Sequence, residues 1–134
     1  MKFQISTDYA IRILLYLHES PKGELPTAMS IAKAMGITYP FFIKVAHQLK
    51  QKGLLDTVQG RNGGYMLARP GGEISLYDVF LAIEGKLQIN RCLEEDEFCS
   101  RDAVGACPIH DYLEELQASM VARMSKKYIA DLVH

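Results

Sequence analysis

Two short amphipathic segments meeting at a single glycine constrain this chain more than any other feature. Thr27 is a ready N-cap for the first, which carries Met29, Ile31, Ala32 and Met35 at helical spacing and stops at Gly36. Only Gly36 and Ile37 precede Thr38, the next N-cap. The second segment turns Phe42, Val45, Ala46 and Leu49 to one side and ends at Lys52-Gly53, a cationic last turn followed by a helix-stopping glycine. Two helices joined so tightly form a helix-turn-helix unit. Upstream, Ala10, Ile11, Ile13, Leu14 and Leu17 give an apolar face to a helix from about residue 9 to 17, with Ser6, Thr7 or Asp8 available as its cap. Downstream, residues 54–59, the turn Gly60-Arg61-Asn62-Gly63-Gly64 and residues 65–69 read as strand, turn and strand. A hairpin placed directly after a helix-turn-helix is a wing, so residues 1–70 are read as a winged DNA-binding region.

Such a unit lays its second helix in the major groove, with the N-terminal residues over the base edges. The candidate DNA contacts on that helix are Thr38, Tyr39, Pro40, Phe41, Lys44 and Gln48, with His47 and Gln51 on the same outward face. Gln59, Arg61 and Asn62 are the candidates on the wing, where Arg61 suits phosphate or minor-groove contact. Charge agrees with a polyanion partner. Residues 1–70 hold nine Lys/Arg against four Asp/Glu, whereas residues 71–134 hold six against twelve. Solvated lysines alone would give the same count, so the charge supports the motif without replacing it. The glycine-rich turn has neither the G-x-x-x-x-G-K-[ST] pattern nor a strand-to-helix setting, which argues against a nucleotide site.

Residues 71–134 read as a connector helix, a loop and a long helix. Ser75 and Asp78 form a capping-box-like start to a helix containing Val79, Phe80 and Ile83 that ends at Gly85. Cys107-Pro108 begins the longest periodic run, in which Ile109, Leu113, Leu116, Met120 and Met124 make an apolar stripe. In so small a chain that stripe needs a partner surface, and a second copy is the simplest supplier, giving a homodimer. Tyr128, Ile129, Leu132 and Val133 are expected to fold back onto the core. The expected fold is mainly α with a small β-hairpin, one compact domain overall. The N-terminus has no signal-peptide pattern and no apolar run approaches membrane-spanning length, so a soluble, cytoplasmic protein without a membrane partner is expected.

All three cysteines and one histidine fall in the loop: Cys92, Cys99, Cys107 and His110, separated by six, seven and two residues. The odd count argues against a disulfide framework. The paired C-x2-C knuckles usual for structural zinc are missing. Spacing therefore ranks an iron–sulfur cluster before zinc, and a metal site before redox-active thiols. No orienting third group, substrate signature or cofactor fingerprint accompanies the Cys107–His110 pair, so catalysis is not expected.

In this order the parts resemble the bacterial winged-helix regulators that include the iron–sulfur regulator IscR and the nitric-oxide-responsive repressor NsrR. The resemblance rests on residues 7–12 (Thr-Asp-Tyr-Ala-Ile-Arg), Ile31-Ala32, Gly36-Ile37, Lys52-Gly53-Leu54, Gly60-x-x-Gly63-Gly64-Tyr65-x-Leu67 and Glu84-Gly85. It implies a homodimeric transcriptional regulator that binds a near-palindromic double-stranded DNA operator. It also implies sensing of iron, redox or nitric oxide status through a cluster on the three cysteines. Two fourth ligands follow from it: His110 in a [2Fe-2S] arrangement, or Asp8 of the partner subunit in a [4Fe-4S] arrangement. The alternative is a zinc-stabilised or thiol-redox regulator without a cluster. The chain departs from the family pattern at Gln59, where arginine commonly precedes the first wing glycine, and in its longer cysteine loop.

Overall fold

The computed structural model describes residues 2–133, arranged as five α-helices and one two-stranded antiparallel sheet. Helix α1 (Ile5–Glu19) leads, followed by α2 (Ala28–Met35) and α3 (Tyr39–Gln51). The hairpin of β1 (Leu55–Val58) and β2 (Gly64–Leu67) comes next, then α4 (Leu76–Ile83) and α5 (Pro108–Ser125). This is the winged-helix architecture expected, with the long helix at the C-terminal end.

Helix α1 starts earlier than its apolar period suggests and is capped differently. Gln4 occupies the N-cap position with no side-chain cap, and Ser6, Thr7 and Asp8 all lie inside the first turn. The cap comes from across the fold. The Glu84 carboxylate accepts the Gln4 N–H at 3.1 Å and the Thr7 hydroxyl. An acid 77 residues from Thr7 thereby satisfies orphan donors at the positive end of the α1 dipole. Local patterns cannot reveal such a cap.

In α2 the Thr27 cap forms, its hydroxyl accepting the Ser30 N–H at 3.2 Å. Ile31 and Ala32 are buried, but Met29, expected inward, is 68% exposed. Two residues from Ile31 on a helix is nearly the opposite face, and eight residues are too few to bury both. Gly36 ends α2 at φ +69°, a left-handed conformation costly for any residue bearing a Cβ. Helix α3 turns Phe42, Val45, Ala46 and Leu49 into the core as expected. Its N-cap Thr38 makes no side-chain cap bond.

The hairpin pairs Leu55 with Leu67 and Val58 with Gly64, so its strands are shorter than the sequence suggests. Two wing glycines are required by close approach. A Cβ on Gly63 would lie 1.9 Å from the Val58 carbonyl oxygen, and one on Gly64 2.4 Å from that of Leu25. Tyr65 then donates its N–H to Pro26 at 2.9 Å and sets its ring edge-on to Phe42, stitching wing to helices.

The capping box of α4 is complete, with Ser75 and Asp78 exchanging side-chain bonds at 2.9 and 3.0 Å. The terminal segment folds back: Ile129 is fully buried and donates its N–H to Ile74. The main core accordingly joins Ile13, Leu14, Ile31, Phe42 and Leu49 to Ile74, Val79 and Ile129 from beyond the wing. A smaller cluster of Phe80, Leu87 and Met124 seats the far end of α5. Met120 and Val121 pack against the same cluster, so the Met120 and Met124 end of the expected apolar stripe is used within the chain. Ile109, Tyr112 and Leu116 are exposed along α5, and only His110 and Met124 are buried.

Candidate cysteine centre and nucleic-acid interface

The segment from Leu87 to α5 has little regular structure, yet three local devices give it a path. The Ile89 N–H is held by Gln117 Oε1 of α5 at 2.8 Å. Short 3-10 turns span Arg91–Leu93 and Val104–Ala106. The Arg91 guanidinium grips Asp96, with Nη2 2.7 Å from Oδ2, reaches Glu94 Oε2 at 3.1 Å, and lies 5.0 Å from the Phe98 ring centroid. The acidic run is therefore partly neutralised from within. Arg91 holds the Asp96 carboxyl down at about 2, and the same pair raises the guanidinium.

This path brings Cys92, Cys99, Cys107 and His110 to one cavity of about 240 Å³, completed by Asn90, Arg91, Phe98, Ser100, Val104 and Ile109. All three thiols are free and half-buried. Backbone N–H groups of Ala103 and Arg101 push the Cys99 thiol below its ordinary range. Asn90 Nδ2 donates to Cys92 Sγ at 3.3 Å. His110 is buried, and its Nδ1 has no hydrogen-bond partner. Its Nε2 lies 3.5 Å from Glu114 Oε2. Among the described residues, no three His, Cys, Asp or Glu side chains converge closely enough to hold a single metal ion. Asp8 does not line the cavity of its own chain; its carboxylate takes Arg12 at 2.7 Å.

In the winged part of the chain, Thr38, Tyr39, Pro40 and Lys44 at the start of α3 are exposed, as are Gln59, Arg61 and Asn62 at the wing tip. Two expected outward residues are half-buried instead. Phe41 packs edge-on against Tyr9 at 5.2 Å and supports Lys44 from below, with Nζ 5.9 Å from its ring. Gln48 is half-buried, with Oε1 lacking a partner. Lys50 is taken by the Thr57 hydroxyl at 2.8 Å, fixing the wing to α3.

Sequence reasoning missed Glu84, Asn90, Arg91 and Gln117 as organisers. For Arg91 the signal was available: a lone cation directly before Cys92 and facing Glu94-Glu95-Asp96-Glu97. No helix among the described residues is long and apolar enough to cross a membrane.

Comparison with known proteins agrees with the winged-helix fold. The family described as Rrf2, iron-dependent transcriptional regulator, matches residues 3–134. The chain is 34% identical to the HTH-type transcriptional regulator NsrR of Shouchella clausii over 134 residues, covering 99% of this chain and 89% of the relative. It is 31% identical to the NsrR of Halalkalibacterium halodurans, covering 99% and 90%. Among solved structures, the global cysteine regulator CymR of B. subtilis superposes with a TM-score of 0.80 at 16% identity, over 98% of this chain and 95% of that one. The T. potens IscR structure gives 0.72 at 23% identity, over 98% and 85%. At these identities the two structures speak for the fold.

Proposed function

The chain belongs to the Rrf2 family of transcriptional regulators, DNA-binding proteins rather than enzymes, and from that premise we propose that it is a cytoplasmic homodimer whose operator binding is set by an iron–sulfur cluster on Cys92, Cys99 and Cys107. One observation carries the reading. Three thiols and a buried imidazole, spread over residues 92–110, line one cavity of about 240 Å³. The donor set fits: free thiols, one already eased toward thiolate, and an imidazole nitrogen buried without a partner. The cavity has room for an occupant of several atoms, and the cysteines lack the paired spacing usual for zinc, which favours a cluster. Either His110 or Asp8 of the partner subunit supplies the fourth ligand. When bound, such a group supplies reversible electron chemistry, through which iron, redox or nitric oxide status is sensed.

The rest falls to the chain's own residues. Residues 1–70 read DNA, with Thr38, Tyr39, Pro40 and Lys44 presented to the groove and Arg61 at the wing tip. Residues 71–134 carry the cavity and the dimer helix. The exposed Ile109, Tyr112 and Leu116 face of α5 meets a second copy, so two recognition helices address half-sites about one helical turn apart or a multiple of it. Ordering the 92–107 loop favours one dimer arrangement over the other, and DNA affinity follows from that difference.

The test is anaerobic purification with iron and sulfide analysis and a visible spectrum. Wild type is expected to be brown, and Cys92→Ala, Cys99→Ala and Cys107→Ala colourless. An unchanged spectrum in any two variants would sink the assignment. A second reading, a thiol-redox regulator, is favoured specifically by the eased Cys99 thiol. It predicts colourless wild type whose DNA binding changes with oxidant and recovers with dithiothreitol.

A further inference from the structure

We infer that Arg91 is a positioning residue, the buckle of a strap that keeps Cys92 and Cys99 on the wall of the cavity before anything is bound there. The inference rests on the cluster reading only for what fills the cavity; the strap itself is visible in the chain.

The segment between these two cysteines is short, acidic and poorly supported by the body. Arg91 closes it at three points: a two-pronged grip on Asp96, a contact with Glu94 and a guanidinium laid on the Phe98 ring. Arg91 immediately precedes Cys92 and Phe98 immediately precedes Cys99, so the contact between them sets the two thiols' backbones relative to each other. The Phe98 N–H also returns to Asp96 Oδ1 at 3.3 Å. The turn this requires is strained. Glu97 sits at φ +48°, a left-handed conformation unfavourable for a residue with a side chain, and donates its N–H to Glu94 at 2.9 Å. Pinned residues on both sides hold that conformation. Without Arg91, four consecutive acids would repel one another and the loop would open.

A strap of this kind has two consequences. It reduces the ordering needed when a cofactor is assembled, because two of the three thiols already share a wall. It also sets Phe98 at the cavity lining, where it slows small reagents reaching the thiols. The arginine fork and its flat face are both used, so lysine is no substitute.

The experiment uses the full chain, cofactor-free, under reductant removed just before assay. Alkylation of each cysteine by iodoacetamide is followed by peptide mass spectrometry in wild type, Arg91→Gln, Arg91→Lys and Asp96→Asn. Cys92 and Cys99 should react about two- to fivefold faster in all three variants, the scale on which exposed ion pairs act. Cys107, outside the strap, should keep its wild-type rate. Arg91→Gln combined with Asp96→Asn should be no faster than Arg91→Gln alone, because Asp96 is one of the groups that Arg91 holds. Unchanged Cys92 and Cys99 rates would overturn the strap, as would a rise at all three cysteines together with a lowered melting temperature. The cluster reading fails separately, on absent iron and sulfide in wild type, and that result leaves these rates untouched.

Discussion

Two hydrogen bonds to Glu84 decide how α1 begins, and they connect the start of the DNA-binding half to the end of the connector helix. Thr7 is almost fully buried, so removing its hydroxyl takes one of two donors from the half-buried Glu84 carboxylate and leaves it the Gln4 N–H alone. Thr7→Val should cost about 1.5–3 kcal/mol, the range for a hydrogen bond to a charged group. Denaturant titration of wild type and variant measures it, with equal slopes showing that only stability changed. Asp96 supplies the pH dependence. Its carboxyl sits at about 2 because Arg91 donates to it, below its ordinary 3.8. A depressed acid stabilises fully above its unfolded value and loses that contribution as pH falls through the folded value. Amide exchange in residues 92–99 should therefore quicken on acidification between about pH 4 and 2, after correction for the intrinsic rate. Asp96→Asn should show no such step.

The wing shows how an element depends on single atoms. Gly64 runs so close to the Leu25–Pro26 backbone that a methyl group would meet carbonyl oxygens at 2.4 and 2.6 Å, and neither can rotate away. Gly64→Ala should destabilise the chain by roughly 2–4 kcal/mol, in the upper range for strain at a packed position. It should also detach the wing, seen as loss of the Tyr65–Phe42 ring contact in aromatic chemical shifts. Much of this architecture was legible beforehand. The Thr27 cap, the Gly36 stop, the inward face of α3 and the Ser75–Asp78 box are local rules, and each lies within one or two turns of chain. The cap of α1 was not legible, because its acid comes from another element. Met29 was misplaced because a two-turn helix has room for a narrower buried strip than its composition suggests. Around the cavity, the candidate ligand types stand in the sequence, and so does Arg91's place directly before Cys92 and the acidic run, but Gln117 could not be read, since its value appears only when the loop has a path. Phe41 is half-buried edge-on against Tyr9, a contact between helices that no local pattern displays.

For the molecule as a whole, the two exposed surfaces lie on different parts of the chain, and under the proposed function they answer to different partners. The face of α5 carrying Ile109, Tyr112 and Leu116 is exposed in the single chain, so a charge placed there costs the monomer fold little. Leu116→Glu should convert the proposed dimer to monomers in analytical ultracentrifugation while leaving the far-ultraviolet circular dichroism of the folded chain unchanged. The consequence for DNA follows from bivalency. A dimer places its second recognition helix at high effective concentration beside the second half-site, a gain of about 10²- to 10⁴-fold with no new contact. Leu116→Glu should therefore weaken binding to a two-half-site operator by that factor while leaving affinity for an isolated half-site as in wild type. Arg61→Ala should act the other way. Arg61 lies at the exposed wing tip, and if it contacts each half-site as proposed, its loss should cost about 1–3 kcal/mol per half-site and lower the salt slope by about one unit for each phosphate contact removed. Titrations of wild type and both variants on full and half operators, at several salt concentrations, separate the two effects. If Leu116→Glu remained dimeric, the dimer would be built on a different face. If Arg61→Ala left both affinity and salt slope unchanged, the wing would stand off the duplex and α3 alone would carry recognition.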